Sequence, residues 1–172
     1  GSLPLALIGV MGGHAMGRGT PEYERTVELG QLITRAGYAV ATGGGPGAME
    51  AANAGAWLAD YDPKDVQDAL KMLAAEPDAI HQRTGWARTA LAVKERFPSS
   101  RQSLGVPTWF YGHEPPNLFA TRIAKFFTNS IREAILLEQS NGGLIVLPGA
   151  AGTVQEIFQD ACENYYATGA RV

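Results

Sequence analysis

Cysteine is almost missing from this chain: Cys162 stands alone among 172 residues. One thiol can form neither an intrachain disulfide nor a multi-cysteine metal site, and such usage fits a reducing compartment. Its expected role is helix packing. No apolar stretch approaches the ~18 residues of a membrane span, and the start lacks the basic and apolar regions of a signal peptide. The expectation is a soluble, cytoplasmic protein with no membrane partner. Positive charge is also in short supply, with 14 Lys and Arg against 17 Asp and Glu for a net charge of -3. That excludes the basic footprint of a nucleic-acid binder. His14, His81 and His113 show no metal-ligand spacing, so no metal is expected; nor is any resident cofactor.

What is abundant is glycine: 21 of 172 residues, well above the usual ~7 % and without a collagen period. At this length one domain with a substantial core is expected over residues 1–172. Leu3 to Val10 reads as a buried strand leaving through Met11-Gly12-Gly13-His14-Ala15-Met16-Gly17. Thr20-Pro21-Glu22 then supplies an N-cap, a first-position proline and an acid for a helix that carries Tyr23, Val27, Leu29 and Ile33 and stops at Gly37. A second strand spans Tyr38 to Ala41, a second glycine loop runs from Thr42 to Gly47, and the small residues of Ala48 to Ala56 suit a helix packed tightly on a sheet.

Residues 57–103 interrupt this rhythm as a helical insertion, with one helix from Asp62-Pro63 to Leu73, a break at Glu76-Pro77 and another from Arg83 to Phe97. Its basic residues, interspersed with Asp62, Asp65, Asp68 and Glu76, read as a solvated surface. A third strand is expected over Val106 to Tyr111, a loop over Gly112 to Asn117, and a long helix over Leu118 to Gln139. The strand Leu144 to Leu147 and a helix from about Gly152 to Ala167 complete the pattern. The fold class is therefore α/β: a Rossmann-like, mostly parallel sheet with helices on both faces, plus the insertion, and with ligands at the strand carboxyl ends. Gly1-Ser2 reads as a scar of tag removal, and Gly169 to Val172 as a turn towards a C-terminal strand that is missing.

Two glycine loops stand between a strand and a helix: Gly43-Gly44-Gly45-Pro46-Gly47-Ala48-Met49-Glu50 and Pro148-Gly149-Ala150-Ala151-Gly152-Thr153-Val154-Gln155-Glu156. Small residues let backbone N–H groups approach an anion, helix N-termini add partial positive charge, and Thr153 offers a hydroxyl. Together they favour a phosphate ligand over tight turns alone. Neither loop ends in Gly-Lys-Ser or Gly-Lys-Thr, which disfavours a P-loop NTPase. Gly9-Val10-Met11-Gly12-Gly13-His14 is not the G-x-G-x-x-G fingerprint of an NAD enzyme.

These two motifs resemble those of the LONELY GUY family, formerly labelled lysine-decarboxylase-like, whose members are nucleotide 5′-monophosphate phosphoribohydrolases. With Met11-Gly12-Gly13-His14, the resemblance is nearest the bacterial purine and pyrimidine nucleotide monophosphate nucleosidase branch. It covers about residues 3–56 and 104–168. It implies cleavage of the N-glycosidic bond to a free base and ribose 5-phosphate, with Glu156 and Arg132 as the catalytic pair. It also implies that Gly12, Gly13, His14, Gly44, Gly45, Gly47, Met49, Glu50, Gly149, Ala150, Ala151, Gly152 and Thr153 bind substrate or phosphate. Arg132 lies one residue further from Pro148 than family spacing implies, a slip assigned to Ser140-Asn141-Gly142, with Arg122 as the alternative. Ala150 stands where the family usually has glycine, adding a Cβ beside the phosphate loop.

The chemistry agrees with these residue types, because breaking the bond leaves positive charge at the anomeric carbon, which a carboxylate stabilises while orienting water. Arg132 can hold ribose or phosphate, or orient Glu156. Glu50 fits dipole complementarity in its helix and ligand contact equally. His14 suits base or sugar contact, or a structural role, and Asn117 and Thr121 suit capping of the long helix or a place facing substrate. Trp57, Trp86 and Trp109 are expected in packing. Apolar residues on more than one side of the helix carrying Phe126, Phe127, Ile131 and Ile135 predict a homodimer. A noncatalytic nucleotide- or cofactor-binding carrier or sensor of the same fold is the competing reading. Lysine decarboxylation is disfavoured, since neither glycine motif holds a lysine for pyridoxal phosphate.

Overall fold

Residues 6–78, 81–99, 101–109 and 117–167 are described by the computed structural model. The start of the first expected strand, Phe110-Tyr111, the following loop with His113, and the expected turn at Gly169 to Val172 lie outside the described residues. In chain order the elements are β1 (Leu7–Met11), α1 (Pro21–Arg35), β2 (Ala39–Thr42), α2 (Ala48–Trp57), α3 (Pro63–Ala74), α4 (Arg83–Arg96), β3 (Ser103–Gly105), β4 (Arg122–Ile123), α5 (Asn129–Gln139), β5 (Gly143–Val146) and α6 (Ala151–Tyr166). All five strands pair in parallel, in the order β4-β3-β2-β1-β5. Strand order therefore reverses at β1, the place where a parallel sheet opens a crevice beyond its carboxyl edge. Val10 stands opposite both Thr42 and Ile145, so β1, β2 and β5 reach that edge level with one another.

Side-chain alternation along these strands covers both faces. Leu7, Met11, Ala39 and Ala41 pack with Leu136 and Leu137 of α5. Val10 and Val40 pack with Ile33 of α1 and with Ala52 and Ala56 of α2. α1 begins as the sequence predicts: Pro21 occupies its first turn, and Thr20 Oγ1 accepts a hydrogen bond from Tyr23 N. The two helices on this face approach backbone to backbone. A Cβ on Gly30 would lie 2.2 Å from the Ala52 carbonyl oxygen, and one on Gly55 would lie 2.1 Å from that of Val27.

The insertion forms its two helices where the sequence predicts them, α3 being capped by Asp62, whose side chain accepts from Asp65 N. Its inner face is part of the core and not an appendage. Val66, Leu70 and Leu73 of α3 and Ala90 and Val93 of α4 join Tyr23, Val27, Ala51, Ala54 and Leu58 in one buried cluster. Trp86 is buried and Trp57 packs against this cluster, whereas Trp109 is exposed, unlike the packed role expected of it.

A buried ion pair ties the insertion to the rest. Arg18, just past the first glycine loop, pairs with Glu50 through both carboxylate oxygens. Its other terminal nitrogen donates to the Trp86 carbonyl at 2.9 Å and to Thr89 Oγ1 at 2.8 Å, and the guanidinium lies 4.2 Å from the Trp86 ring centre. Sequence reasoning did not single out Arg18. Removing one partner of such a pair strands a buried charge and typically costs about 3–5 kcal/mol.

Four expectations need correction. The third strand is Ser103–Gly105, starting before the expected Val106, and the long helix starts at Asn129 and not at Leu118. The reason is where backbone hydrogen bonds go: Ala124 N donates to Gly105 O, Phe126 N to Pro107 O, and Trp109 N to Phe126 O, which extends the sheet edge through residues read as helical. Accordingly Asn117 and Thr121 cap no helix. Asn117 Nδ2 donates to Asn53 Oδ1, and Thr121 Oγ1 donates to the Ser103 carbonyl. Cys162, expected in helix packing, is exposed on α6. Among the described residues, no helix is long and apolar enough to cross a membrane.

Gly55→Ala should lower stability in urea unfolding by about 1–3 kcal/mol, the usual penalty of overpacking a closed interface. Gly152→Ala, where an added Cβ meets nothing within 4 Å, should lower it little or not at all.

Candidate functional site

The glycine loops meet through the backbone of one residue. Gly13 N donates to the Pro148 carbonyl at 3.1 Å, and Ala48 N donates to the Gly13 carbonyl at 3.1 Å. The exits of β1, β2 and β5 are thus stitched together at the strand-order reversal. Close approach explains the composition: a Cβ on Gly13 would lie 3.2 Å from Gly149 Cα, and Gly47, at φ +73°, would direct one to 2.6 Å from the Gly13 carbonyl oxygen. Gly44 shares that left-handed conformation, and its N–H donates to Thr42 Oγ1. Gly12 lies against Ala48, and Gly45 is buried beside Gly44.

Two helices start at this edge. Gly47 is the N-cap residue of α2 and Ala150 that of α6, and neither receives a side-chain cap. Beyond Ala48 N, which Gly13 O already takes, the first-turn amides carry partial positive charge and have no side-chain cap, the ordinary means of holding an anion. Ala150 sits at φ -99°, ψ -163°, extended backbone open to any residue, so its Cβ imposes no strain. Thr153 is buried and folds back over Gly149, while Ala151 and Gly152 are exposed. His14 is exposed in the first loop.

α5 and α6 bring Arg132 and Glu156 together: Arg132 Nη1 donates to Glu156 Oε1 at 3.2 Å. The slip assigned to Ser140-Asn141-Gly142 falls in the turn between α5 and β5, outside both elements. Arg122, the alternative, is exposed in β4. The guanidinium also borders the second glycine loop. A Cβ on Gly43 would lie 3.3 Å from Arg132 Nη1 and 2.9 Å from Met49 Sδ, so the pair and the loop share one corner of the sheet edge.

Burial raises the Glu156 carboxyl above its ordinary value. The Arg132 charge opposes this, and the nearby Glu133 charge adds to it. Glu133 is a residue sequence reasoning missed. It is buried, lies 3.7 Å from Arg132 Nη2, and accepts from Asn129 Nδ2 at 2.7 Å and Gln155 Nε2 at 2.9 Å. Asn129 Oδ1 in turn accepts from Arg132 Nη2 at 2.9 Å. The available signal was the spacing of Asn129, Arg132 and Glu133, which puts them on neighbouring positions of one helix.

Glu50 is placed elsewhere. Both of its oxygens face Arg18 inside the core; burial raises its carboxyl and the Arg18 hydrogen bonds pull it down. His81 pairs with Asp78 at 2.6 Å on the surface. Among the described residues no group of three His, Cys, Asp or Glu is arranged to hold a metal ion.

An acid raised by folding carries no penalty below its unfolded value and the full penalty above its folded one, so the Glu156 contribution makes stability fall as pH rises through that interval. Glu156→Gln should remove this slope. Its melting temperature is expected to match or exceed wild type at pH 8 and to lose that advantage at pH 4. A deficit that persists unchanged across this range would contradict the assignment.

Comparison with known proteins gives a match to the model of the SLOG cluster4 family over residues 5–60, from the approach to β1 to just past α2. No curated protein matches. Among solved structures, that of TM1055 is 17% identical at a TM-score of 0.57, covering 92% of this chain and 69% of that one. The molybdenum cofactor binding protein from the phototrophic bacterium Rippkaea orientalis is 20% identical at a TM-score of 0.57, covering 95% of this chain and 74% of that one. The molybdenum cofactor carrier protein from Chlamydomonas reinhardtii is 18% identical at a TM-score of 0.55, covering 93% of this chain and 73% of that one. These structural likenesses establish a shared Rossmann-like α/β fold.

Proposed function

We propose that this protein is a cytoplasmic nucleotide 5′-monophosphate nucleosidase, hydrolysing the N-glycosidic bond to free base and ribose 5-phosphate. The observation that carries this reading is the Arg132–Glu156 pair set against Gly43 at the edge where three glycine loops meet. The 5′-phosphate takes the first-turn amides of α2 beyond Ala48 and those of α6, near Gly44, Gly45 and Gly47 and near Gly149 to Thr153. Holding the phosphate fixes the ribose, so that C1′ lies beside Glu156. Glu156 stabilises the positive charge that develops there and orients water, while Arg132 holds Glu156 and borders the sugar. His14 and Met49 flank base or sugar, and no metal is required.

A carrier of a phosphate-bearing cofactor, binding without turnover, is the second reading. It is favoured by the two structural neighbours whose names state binding or carriage of molybdenum cofactor. Free base should appear when wild type is incubated with purine and pyrimidine 5′-monophosphates, and Glu156→Gln should release it at least roughly 100-fold more slowly, the lower range for a proton-handling group. Ligand-induced thermal stabilisation with no base released at high protein concentration would instead support the carrier.

The protein also pairs with a second copy in this reading. Phe127, Ile131 and Phe158 are 73%, 52% and 69% exposed on or beside α5 and α6, an apolar surface of the kind an isologous interface buries. Light scattering at micromolar concentration is expected to return a dimer for wild type and a monomer for Phe158→Asp. A wild-type monomer would overturn the pairing.

A further inference from the structure

Arg132 stands among two buried carboxyl groups, and the proposed chemistry uses only one of them. Glu133 and Glu156 are 2% and 7% exposed, and among the described residues the charged groups acting on Glu156 are Arg132 and Glu133, both on α5. If both carboxyls were ionised, the cluster would hold two negative charges against one positive charge in a region shielded from water. Two carboxyls held against one guanidinium, 3.7 and 3.2 Å from it, and shielded from water favour sharing a single proton. The hydrogen bonds decide where that proton sits. Each Glu133 oxygen accepts an amide N–H, from Asn129 and from Gln155, which stabilises its ionised form. Among the described residues Glu156 accepts one bond, from Arg132.

We propose that Glu133 is a positioning residue that keeps the shared proton on Glu156, so that Glu156 begins the reaction as a proton donor to the departing base. This rests on the nucleosidase reading and gives its carboxyl a definite starting state. As the C1′–N bond breaks, its electron pair leaves with the base and the Glu156 proton passes to that base. The carboxylate left behind faces the cationic sugar. Water adds its oxygen to C1′ and returns a proton to Glu156. The sum is nucleotide plus water giving ribose 5-phosphate plus base, with the carboxyl regenerated. Glu133 touches neither sugar nor base in this scheme. It acts through Arg132, through Asn129, which holds Arg132, and through Gln155, the residue next to Glu156.

The test uses the full chain with 13C-labelled glutamate side chains, following carboxyl resonances against pH. Glu156 is assigned as the signal lost in Glu156→Gln. In wild type the Glu156 signal is expected to titrate above the ordinary glutamate range. In Glu133→Gln the Glu156 midpoint should move to lower pH, and the pH profile of base release should lose activity on its alkaline side while converging with wild type on its acid side. Gln155→Leu, which strips one donor from Glu133, should move the Glu156 midpoint in the same direction and serves if Glu133→Gln does not fold. A Glu156 midpoint that stays or rises in the folded variant, or a wild type in which Glu133 holds the proton, overturns the proposal. A wild type that releases no base from any nucleotide overturns the nucleosidase reading, and the donor step with it, while the carboxyl titration still decides whether Glu133 places the proton.

Discussion

Two backbone hydrogen bonds at Gly13 hold the working edge of this fold. One joins the exit of β1 to that of β5, and the other joins it to the start of α2. Because parallel strands carry their loops at the same end, a sheet whose order reverses at β1 brings the exits of the strands on either side of it together. Gly13 turns this topological proximity into contact, since any side chain there would meet the Gly149 backbone. The placement of the α2 and α6 N-termini around one corner follows from that stitch.

The insertion belongs to the same mechanical unit. Arg18 lies five residues beyond Gly13, and its guanidinium holds Glu50 in the first turn of α2 together with the α4 backbone at Trp86. Tyr23, fully buried beside the pair, is pushed well above its ordinary value by burial first and by the Glu50 charge second. It therefore remains a neutral phenol. A helical pair that looks like an interruption of a βα rhythm closes the far side of the core, and does so through a charge network reaching back to the glycine loops.

Strand–loop–helix units were legible where the signals are local. Thr20-Pro21 starts α1, Asp62-Pro63 starts α3, and the glycine loops mark the ends of β1, β2 and β5. The pairing of Arg132 with Glu156 was likewise expected, from motif resemblance, and the two side chains do meet. What escaped depends on long-range pairing. The stretch before α5 has helical apolar spacing, yet its amides and carbonyls are taken by Gly105, Pro107 and Trp109 across the sheet edge. Arg18 and Glu50 are 32 positions apart, and nothing in either local sequence announces a buried pair. Glu133 reads as an ordinary helix-surface acid until α6 supplies Gln155 to cover it.

The exposed thiol of Cys162 has a practical corollary. It lies on α6, one helical turn beyond the protruding Phe158, and no other cysteine competes with it anywhere in the chain. This sequence therefore provides a single addressable point for a fluorophore or spin label on the helix that begins at the glycine loop after β5. Whatever ligand settles at one end of α6, or whatever surface settles on its side, can be followed from that one atom without altering another residue.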